Sequence, residues 1–312
     1  MKFLFVMDPL ARIQIAGDTT FALMLAAQNR RHEVWFCEPR HLGLEHDEPV
    51  AQAWPTTVRR VPGDHYLLGV QSTLPLGQCH AVFMRKDPPI DLDYYFATLL
   101  LERARGKTLL INDPCGLREY NEKLSILDYP QLTAPTIVTR ESVRLRSFLS
   151  EHGGEMVVKP LDASGGFGVF HVRKGDTNTG AILEQATNLG RRWTMAQQYL
   201  PAVRSGDKRI LLVDGELLCA VLRVPAPDDA RGNLHVGARA MPAKISERDM
   251  EIIRTVGPRL RDAGHFFVGL DVIGDYLTEI NVTSPTGILE ANVLDNREYE
   301  VKVIEALERK IG

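Results

Sequence analysis

Apolar and polar residues alternate along this chain with two different periods, and the places where the period changes outline the fold. Residues 2–7 form a short strand-like apolar run. Residues 19–30 repeat their apolar positions at helical spacing behind Asp18, a residue type suited to capping a helix N-terminus. Residues 32–37, 81–84 and 108–111 are again strand-like, and residues 94–104 have helix-forming composition. This alternation predicts an α/β region with a parallel sheet covered by helices. No Gly-x-Gly-x-x-Gly follows the first strand, which argues against a dinucleotide site there. Asn112-Asp113-Pro114-Cys115-Gly116 is turn chemistry and marks a change of character. Beyond it, strands are expected over 156–159 and 169–172, joined by a glycine-rich loop. Strands over 209–213 and 216–224 then flank Asp214-Gly215, a two-residue hairpin signal. Residues 225–242 lack periodicity and read as a mobile loop, of a length that is usually functional or disordered. A helix is expected over 246–263, with Ser246 as N-cap and Gly264 past its end.

Residues 267–281 carry the most specific pattern: two apolar runs joined by a Gly274-Asp275 turn. A three-residue loop over 274–276 places Asp271 opposite Glu279, with Asn281 following on the same face. Val268, Leu270, Val272, Thr278, Ile280 and Val282 then form a core face. A two-residue loop instead pairs Asp271 with Thr278 and mixes the faces. In the tidy register two carboxylates and an amide converge, a set of oxygen donors suited to Mg²⁺, which takes its remaining ligands from substrate phosphates. An exposed acidic hairpin edge is the alternative reading.

Other segments supply counter-charges. The loop Ala163-Ser164-Gly165-Gly166-Phe167-Gly168 joins two strands and resembles a flap over nucleotide phosphates more than a Walker loop, since no Gly-Lys-Ser/Thr follows; a plain glycine hairpin is the alternative. Lys159 lies in the apolar run before it, where an ammonium must snorkel or meet an anion. Lys123 in isolation reads as a solvated helix residue, and Arg209, opening a strand, either reaches phosphates or blunts a sheet edge. Arg85 ends a parallel strand, where open α/β sheets bind ligands, and can grip a carboxylate or pair with Asp87. Arg231, Gly232, Asn233 and Arg239 lie in the long loop, which can close over a charged substrate or be an ordinary flexible loop.

Composition narrows the class. A chain of 312 residues has room for two or three domains, and a net charge of −3 implies no nucleic-acid or membrane partner. No apolar run approaches the roughly 20 residues of a membrane span, and residues 1–8 lack a secretory signal's long apolar segment. Cys37, Cys79, Cys115 and Cys219 are widely spaced, which suits reduced, buried thiols in a cytoplasmic protein.

Several motifs occur together in one order along the chain: Met84-Arg85-Lys86-Asp87-Pro88-Pro89, Asn121-Glu122-Lys123-Leu124, Lys159-Pro160-Leu161-Asp162, Met195-Ala196-Gln197, Gly206-Asp207-Lys208-Arg209, Arg231-Gly232-Asn233-Leu234, and Thr278-Glu279-Ile280-Asn281-Val282-Thr283-Ser284-Pro285-Thr286-Gly287. With them the sequence resembles the ATP-grasp carboxylate–amine ligases, and among these the prokaryotic glutathione synthetase family. The resemblance implies an α/β and α+β ATP-grasp fold. Residues 1–120 would form a Rossmann-like, parallel-sheet substrate domain, 121–200 a central subdomain with the glycine loop, and 201–312 a C-terminal subdomain with the metal site and the loop 225–242.

The same resemblance implies that Lys123, Lys159, Gly165, Gly166, Gly168, Asp207 and Arg209 contact ATP, with Gln197, Gln198, Tyr199 and Leu200 lining the adenine pocket. Asp271, Glu279 and Asn281 match the magnesium positions, with Mn²⁺ as the alternative ion. Arg85, Arg223, Asn233, Ser284 and Thr286 fall on the peptide-substrate side, and Arg209 and Arg231 are the candidate catalytic cations. The implied reaction joins glycine to γ-glutamylcysteine through an acyl phosphate, releasing ADP and phosphate, in a homotetramer or other homo-oligomer. A ligase for another amino acid and acidic peptide is the nearer rival. A non-catalytic ATP-binding regulator is the more distant one, and it is disfavoured because no metal position is lost. The glycine loop is richer in glycine than in some family members, and residues 288–312 carry no distinctive motif.

Overall fold

The side chains of Lys2–Met7 (β1) divide by parity between two cores, as a strand buried on both faces requires. Phe3, Phe5 and Met7 pack with Phe21 and Met24, while Leu4 and Val6 pack on the other side with Tyr94, Ala97 and Leu101. These residues belong to a computed structural model that describes residues 1–163, 165–226 and 237–312. Helix Thr19–Asn29 (α1) follows, and its N-terminal turn is closed by Asp18 Oδ1, which accepts the Phe21 N–H at 2.6 Å.

Strand Glu33–Cys37 (β2) lies parallel to β1. The chain then makes four strands that the sequence pattern did not reveal: Leu42–Glu45 (β3), Glu48–Val58 (β4), Tyr66–Leu68 (β5) and Ser72–Pro75 (β6). Ala81–Arg85 (β7) and, after helix Leu92–Glu102 (α2), Leu109–Ile111 (β8) complete the parallel set. The expected parallel sheet is therefore mixed: β4 runs antiparallel to β2, and β3, β5 and β6 all pair antiparallel to β4. Pro49, Pro55, Gly63 and Gly69 interrupt that stretch and hide its period.

The turn expected at residues 112–116 opens a short helix, Pro114–Glu119 (α3), capped by Asp113 Oδ1 at the Cys115 and Gly116 N–H groups. Asn112 is buried and ties the first sheet to the last. Its Nδ2 donates to the carbonyls of Phe267 and Val282 at 2.8 and 2.7 Å, and its Oδ1 accepts the Phe267 N–H at 2.9 Å.

A second sheet is antiparallel throughout. It comprises Thr136–Thr139 (β9), Glu155–Pro160 (β10), Phe170–Arg173 (β11) and Thr194–Gln198 (β12), in the order β11-β10-β12-β9, with helices Ser142–Glu151 (α4) and Thr179–Thr187 (α5) between strands. Met156, Val158, Val172 and Ala196 pack against Leu145, Phe148 and Leu183 in a core of their own. The alternate positions, Val157, Lys159 and Gln197, are left for the opposite face.

The third sheet has the order β15-β14-β13-β16-β17. Its strands are Asp207–Val213 (β13), Glu216–Val224 (β14), Arg239–Pro242 (β15), Phe267–Ile273 (β16) and Tyr276–Asn281 (β17). Of the expected loop 225–242, residues 239–242 are therefore a strand, paired with β14, and 227–236 lie outside the described residues. Helix Glu247–Asp262 (α6) begins at Ser246 as expected, with Asp249 Oδ2 accepting the Ser246 N–H at 2.7 Å. Helices Ile288–Asp295 (α7) and Tyr299–Ile311 (α8) carry the chain back to the first sheet, where Val303, Ile304 and Leu307 join the Phe3–Phe5 core. Arg30 fixes the return, donating to Glu308 at 2.8 and 2.6 Å and to Glu305 at 3.1 Å. Three cysteines, Cys37, Cys79 and Cys219, are buried, and all four are free thiols. Among the described residues, no helix is long and apolar enough to cross a membrane.

The hairpin register departs instructively from expectation. Asp271 pairs with Glu279 and Gly269 with Asn281, as the tidy register requires. The loop, however, has two residues, since Ile273 pairs with Tyr276 and Val272 with Leu277. A β-bulge at Thr278 restores the pairing. Leu277 consequently takes the core position assigned to Thr278, and Thr278 turns to the pocket side with its hydroxyl on the Asp271 carbonyl at 3.1 Å.

Candidate active site

The third sheet gathers charge at one end of one face. On that face Leu211, Val213 and Phe267 join the core, and toward the other end of the same strands stand Arg209 and Asp271, direct partners across β13 and β16. Asp271 faces Glu279 on its other side, and Asp207 faces Arg223 across β13 and β14. Arg209 grips Asp271 with both arms, Nε donating to Oδ1 at 2.5 Å and Nη2 to Oδ2 at 2.9 Å. Arg223 Nη2 lies 3.0 Å from the same Oδ2 and 2.5 Å from Asp207 Oδ2. Burial works to raise the Asp271 carboxyl, but the two guanidiniums outweigh it and hold the group well below the usual carboxylate range. For Asp207 burial wins, and its carboxyl is pushed up to about 6 despite Arg223. Gly269 matters here because a side chain at that position would run into the Arg209 stem at 3.0 Å.

The second sheet presents its polar face to this array. Lys159 is buried and donates to Gln197 Oε1 at 3.2 Å, a neutral partner that leaves its charge uncompensated at contact range. Burial lowers its pKa, and Glu279 works in the opposite direction. Lys123 is also buried rather than solvated, with Nζ 2.5 Å from the Ala163 carbonyl and 4.0 Å from Glu279 Oε1. Its neighbour Glu122 holds it there. The Glu122 carboxylate accepts the Val282 and Thr283 N–H groups at 3.1 Å and the Thr283 hydroxyl at 2.8 Å, so the Lys123 segment is stitched to the end of β17.

Between the two sheets lies a cleft of about 170 Å³. Lys123, Lys159, Gly165, Gly166, Asp207, Asp271 and Glu279 line its charged part, and Gln197, Gln198, Tyr199 and Leu200 line the rest. His171, which no sequence signal singled out, stacks on Tyr199 with ring centroids 3.9 Å apart and extends that wall. Gly168 is left-handed, with φ +69°, and sits in the loop without lining the cleft.

Arg85 lies buried at the end of β7, donating from Nε to Thr20 Oγ1 and from Nη2 to the Pro285 carbonyl, each at 3.0 Å. The alternative pairing with Asp87 is not made. The segment carrying Ser284 and Thr286 connects the two regions, since the Thr286 carbonyl accepts Arg209 Nη1 at 3.2 Å. The sequence did not flag Tyr94, whose hydroxyl interacts with Arg85 and is buried without a hydrogen-bond partner; the Thr19 hydroxyl and Glu290 Oε2 are likewise buried and unpartnered. Arg223 stands in the carboxylate cluster and not beside Arg85. Arg231 and Asn233 lie outside the described residues.

A divalent cation fits the donors that are present. Asn281 spends its amide N–H on the Gly269 carbonyl at 3.3 Å and keeps its oxygen, and among the described residues Glu279 has only the distant Lys123 as an ionic partner. These are hard oxygen donors, few in number, and Glu279 lines the same cleft as Lys123 and Lys159. Among the described residues no group of three His, Cys, Asp or Glu side chains forms a self-sufficient metal site, so the cation would depend on substrate oxygens.

Comparison with known proteins agrees with this geometry. A family profile for the prokaryotic glutathione synthetase N-terminal domain matches residues 1–118, and that for the ATP-grasp domain of the same family matches residues 122–296. The chain is 43% identical to the glutathione synthetase of Vibrio cholerae over all of its length and 98% of that protein's. It is 47% identical to the one from Xanthomonas campestris pv. campestris, over 91% of this chain and 90% of the relative. Among solved structures, D-cycloserine synthetase DcsG superposes with a TM-score of 0.70 at 15% identity, covering 100% of both chains. The ATP-grasp ligase PsnB, complexed with a precursor peptide and AMPPNP, superposes at 0.63 with 15% identity, over 99% of this chain and 98% of that one. At such identity these two speak for the fold alone.

Proposed function

This chain belongs to the prokaryotic glutathione synthetase family, and from that premise we propose how its residues carry out ATP-dependent glutathione synthesis. It is an ATP-grasp ligase that acts on small-molecule substrates and depends on ATP and a divalent metal. The reading that follows assigns the ion as Mg²⁺ and the parts of the chain as 1–120 for peptide substrate and 121–200 with 201–312 for ATP.

One observation carries the assignment of the site: Asp271 and Glu279 face each other across a hairpin, with Arg209 on one flank and Lys123 and Lys159 opposite. Adenine would sit against Tyr199, Leu200 and Gln198. The phosphates would run toward Lys159, whose buried ammonium donates to the neutral Gln197 amide and so favours an anion. Gly165 and Gly166, both at positive φ, would bring backbone N–H groups over them. A cation held by Asp271, Glu279 and Asn281 would neutralise phosphate charge and ease departure of ADP. Arg209, fixed by Asp271 and Thr286, would stabilise the transferring phosphoryl group.

Arg85 would hold a carboxylate of γ-glutamylcysteine, with the unpartnered Tyr94 hydroxyl available to its polar end. The cysteinyl carboxylate attacks the γ-phosphorus, giving an acyl phosphate and ADP. The glycine amine then attacks the acyl carbon, forming the amide and releasing phosphate, which can take the amine's proton. In a panel of acceptor amino acids with ATP, Mg²⁺ and γ-glutamylcysteine, glycine is expected to give ADP and a tripeptide by mass spectrometry. Turnover with a different acceptor only, or no ADP at all, would overturn the assignment.

A further inference from the structure

We propose that a second cavity, of about 680 Å³ and remote from the ATP cleft, binds a small organic dianion with an apolar body. The cavity opens where β7 and β8 begin, whereas Arg85 stands where β7 ends, so the length of that strand, about 15 Å, separates it from the substrate side. Its walls come from the turns entering β7 and β8, β8 with Asp113 beyond it, the β13–β14 turn at Asp214, the junction between α6 and β16, and the last residues of α8.

Charge is the first argument. Arg105, Lys107, Arg261 and Lys310 line the cavity, with Asp113 and Asp214 as its acidic residues among those described. Both acids are already engaged. Arg105 holds Asp113 at 2.7 and 2.9 Å, and Lys310 holds Asp214 at 2.6 Å. Lys107 and Arg261 have no acidic partner among the described residues, which leaves two positive charges on one concave wall of a protein whose formal net charge is −3. Two cations facing a shared concavity repel each other until an anion enters. His80 adds a donor, since its Nδ1 accepts the Lys2 N–H at 3.0 Å and the neutral ring must carry its proton on Nε2.

The apolar part is the second argument. Half-buried Leu109 and the apolar stems of these cations face the opening, Phe266 and Ile111 close the wall behind them at 2% exposed each, and Lys310 Nζ lies 5.9 Å from the Phe266 ring centroid. A free inorganic anion would leave that surface in contact with water, whereas a phosphate monoester or dicarboxylate with a hydrocarbon or aromatic body covers it. An occupant touches both the first and third sheets and therefore resists their separation.

Phenyl phosphate, phthalate and inorganic phosphate serve as probes for the full-length protein, read by calorimetry and by thermal shift. Phenyl phosphate or phthalate is expected to bind at least about tenfold more tightly than inorganic phosphate, given the apolar area covered. Whichever of the two binds more tightly identifies the phosphate or the carboxylate source. Binding should persist when a non-hydrolysable ATP analogue saturates the cleft. It should weaken about tenfold or more in the Lys107→Ala/Arg261→Ala double variant, which lacks only exposed, unpartnered cations and should melt and turn over like the parent. Displacement by the ATP analogue, or equal affinity in the double variant, would overturn the proposal, because the probes would then be reading the ATP cleft or the general surface.

Discussion

Glu279→Gln is expected to lower kcat by about 10²–10³-fold while leaving the melting temperature of the free protein unchanged. The reasoning is local. Glu279 is only partly buried, and its nearest ionic partner, Lys123, is 4.0 Å away, so the folded protein loses little when the carboxylate becomes an amide. The proposed metal site loses a negative charge and a strong donor. The apparent affinity for Mg²⁺ should fall as well, so that raising the metal concentration recovers part of the rate. Steady-state kinetics against Mg²⁺, with a thermal melt alongside, checks all three statements. Near-parental turnover in this variant would mean that the metal lies elsewhere.

Asp271→Asn should behave differently because Asp271 supports the fold as well as the proposed metal site. It is 4% exposed and compensates two buried guanidiniums, those of Arg209 and Arg223. Removing one partner of such a cluster leaves buried charge unpaired, a loss of about 3–5 kcal/mol in stability. Arg209 would also lose the two hydrogen bonds that aim it. The expected result is a lowered denaturation midpoint in urea together with a fall in kcat at least as large as that of Glu279→Gln. A stable but inactive Asp271→Asn protein would show that the arginine–carboxylate cluster organises the site without supporting the fold.

The contrast between these two residues also shows what the sequence could express. Their facing positions were legible because strand parity and turn chemistry are both local, and a Gly-Asp turn between apolar runs constrains the register strongly. The turn length was not legible: a bulge at Thr278 achieves with a two-residue loop what three residues would do without one. Lys123 read as solvated because its burial depends on Glu122 gripping the Val282 and Thr283 backbone, a contact 160 residues away in the chain. The antiparallel strands around β4 were missed because proline and glycine break their alternation, and α8 because its partner, α1, lies at the other end of the sequence. His171 gave no signal, since a stacking partner is defined only once β11 lies beside the residue following β12. Resemblance to a family named Lys123, Lys159, Asp271 and Glu279 one by one along the chain, but the cleft they share is a property of two sheets facing each other.

The central claim is that ATP activates the peptide carboxylate by phosphorylation in this cleft, and an isotope measurement tests it most directly. γ-Glutamylcysteine labelled with ¹⁸O in its cysteinyl carboxylate is incubated with the protein, ATP, Mg²⁺ and glycine, and the released phosphate is analysed by mass. The attacking carboxylate oxygen stays with the phosphorus when glycine displaces it, so each phosphate released should carry one ¹⁸O. Unlabelled phosphate accompanying tripeptide formation would contradict the acyl phosphate and the arrangement of residues proposed to make it.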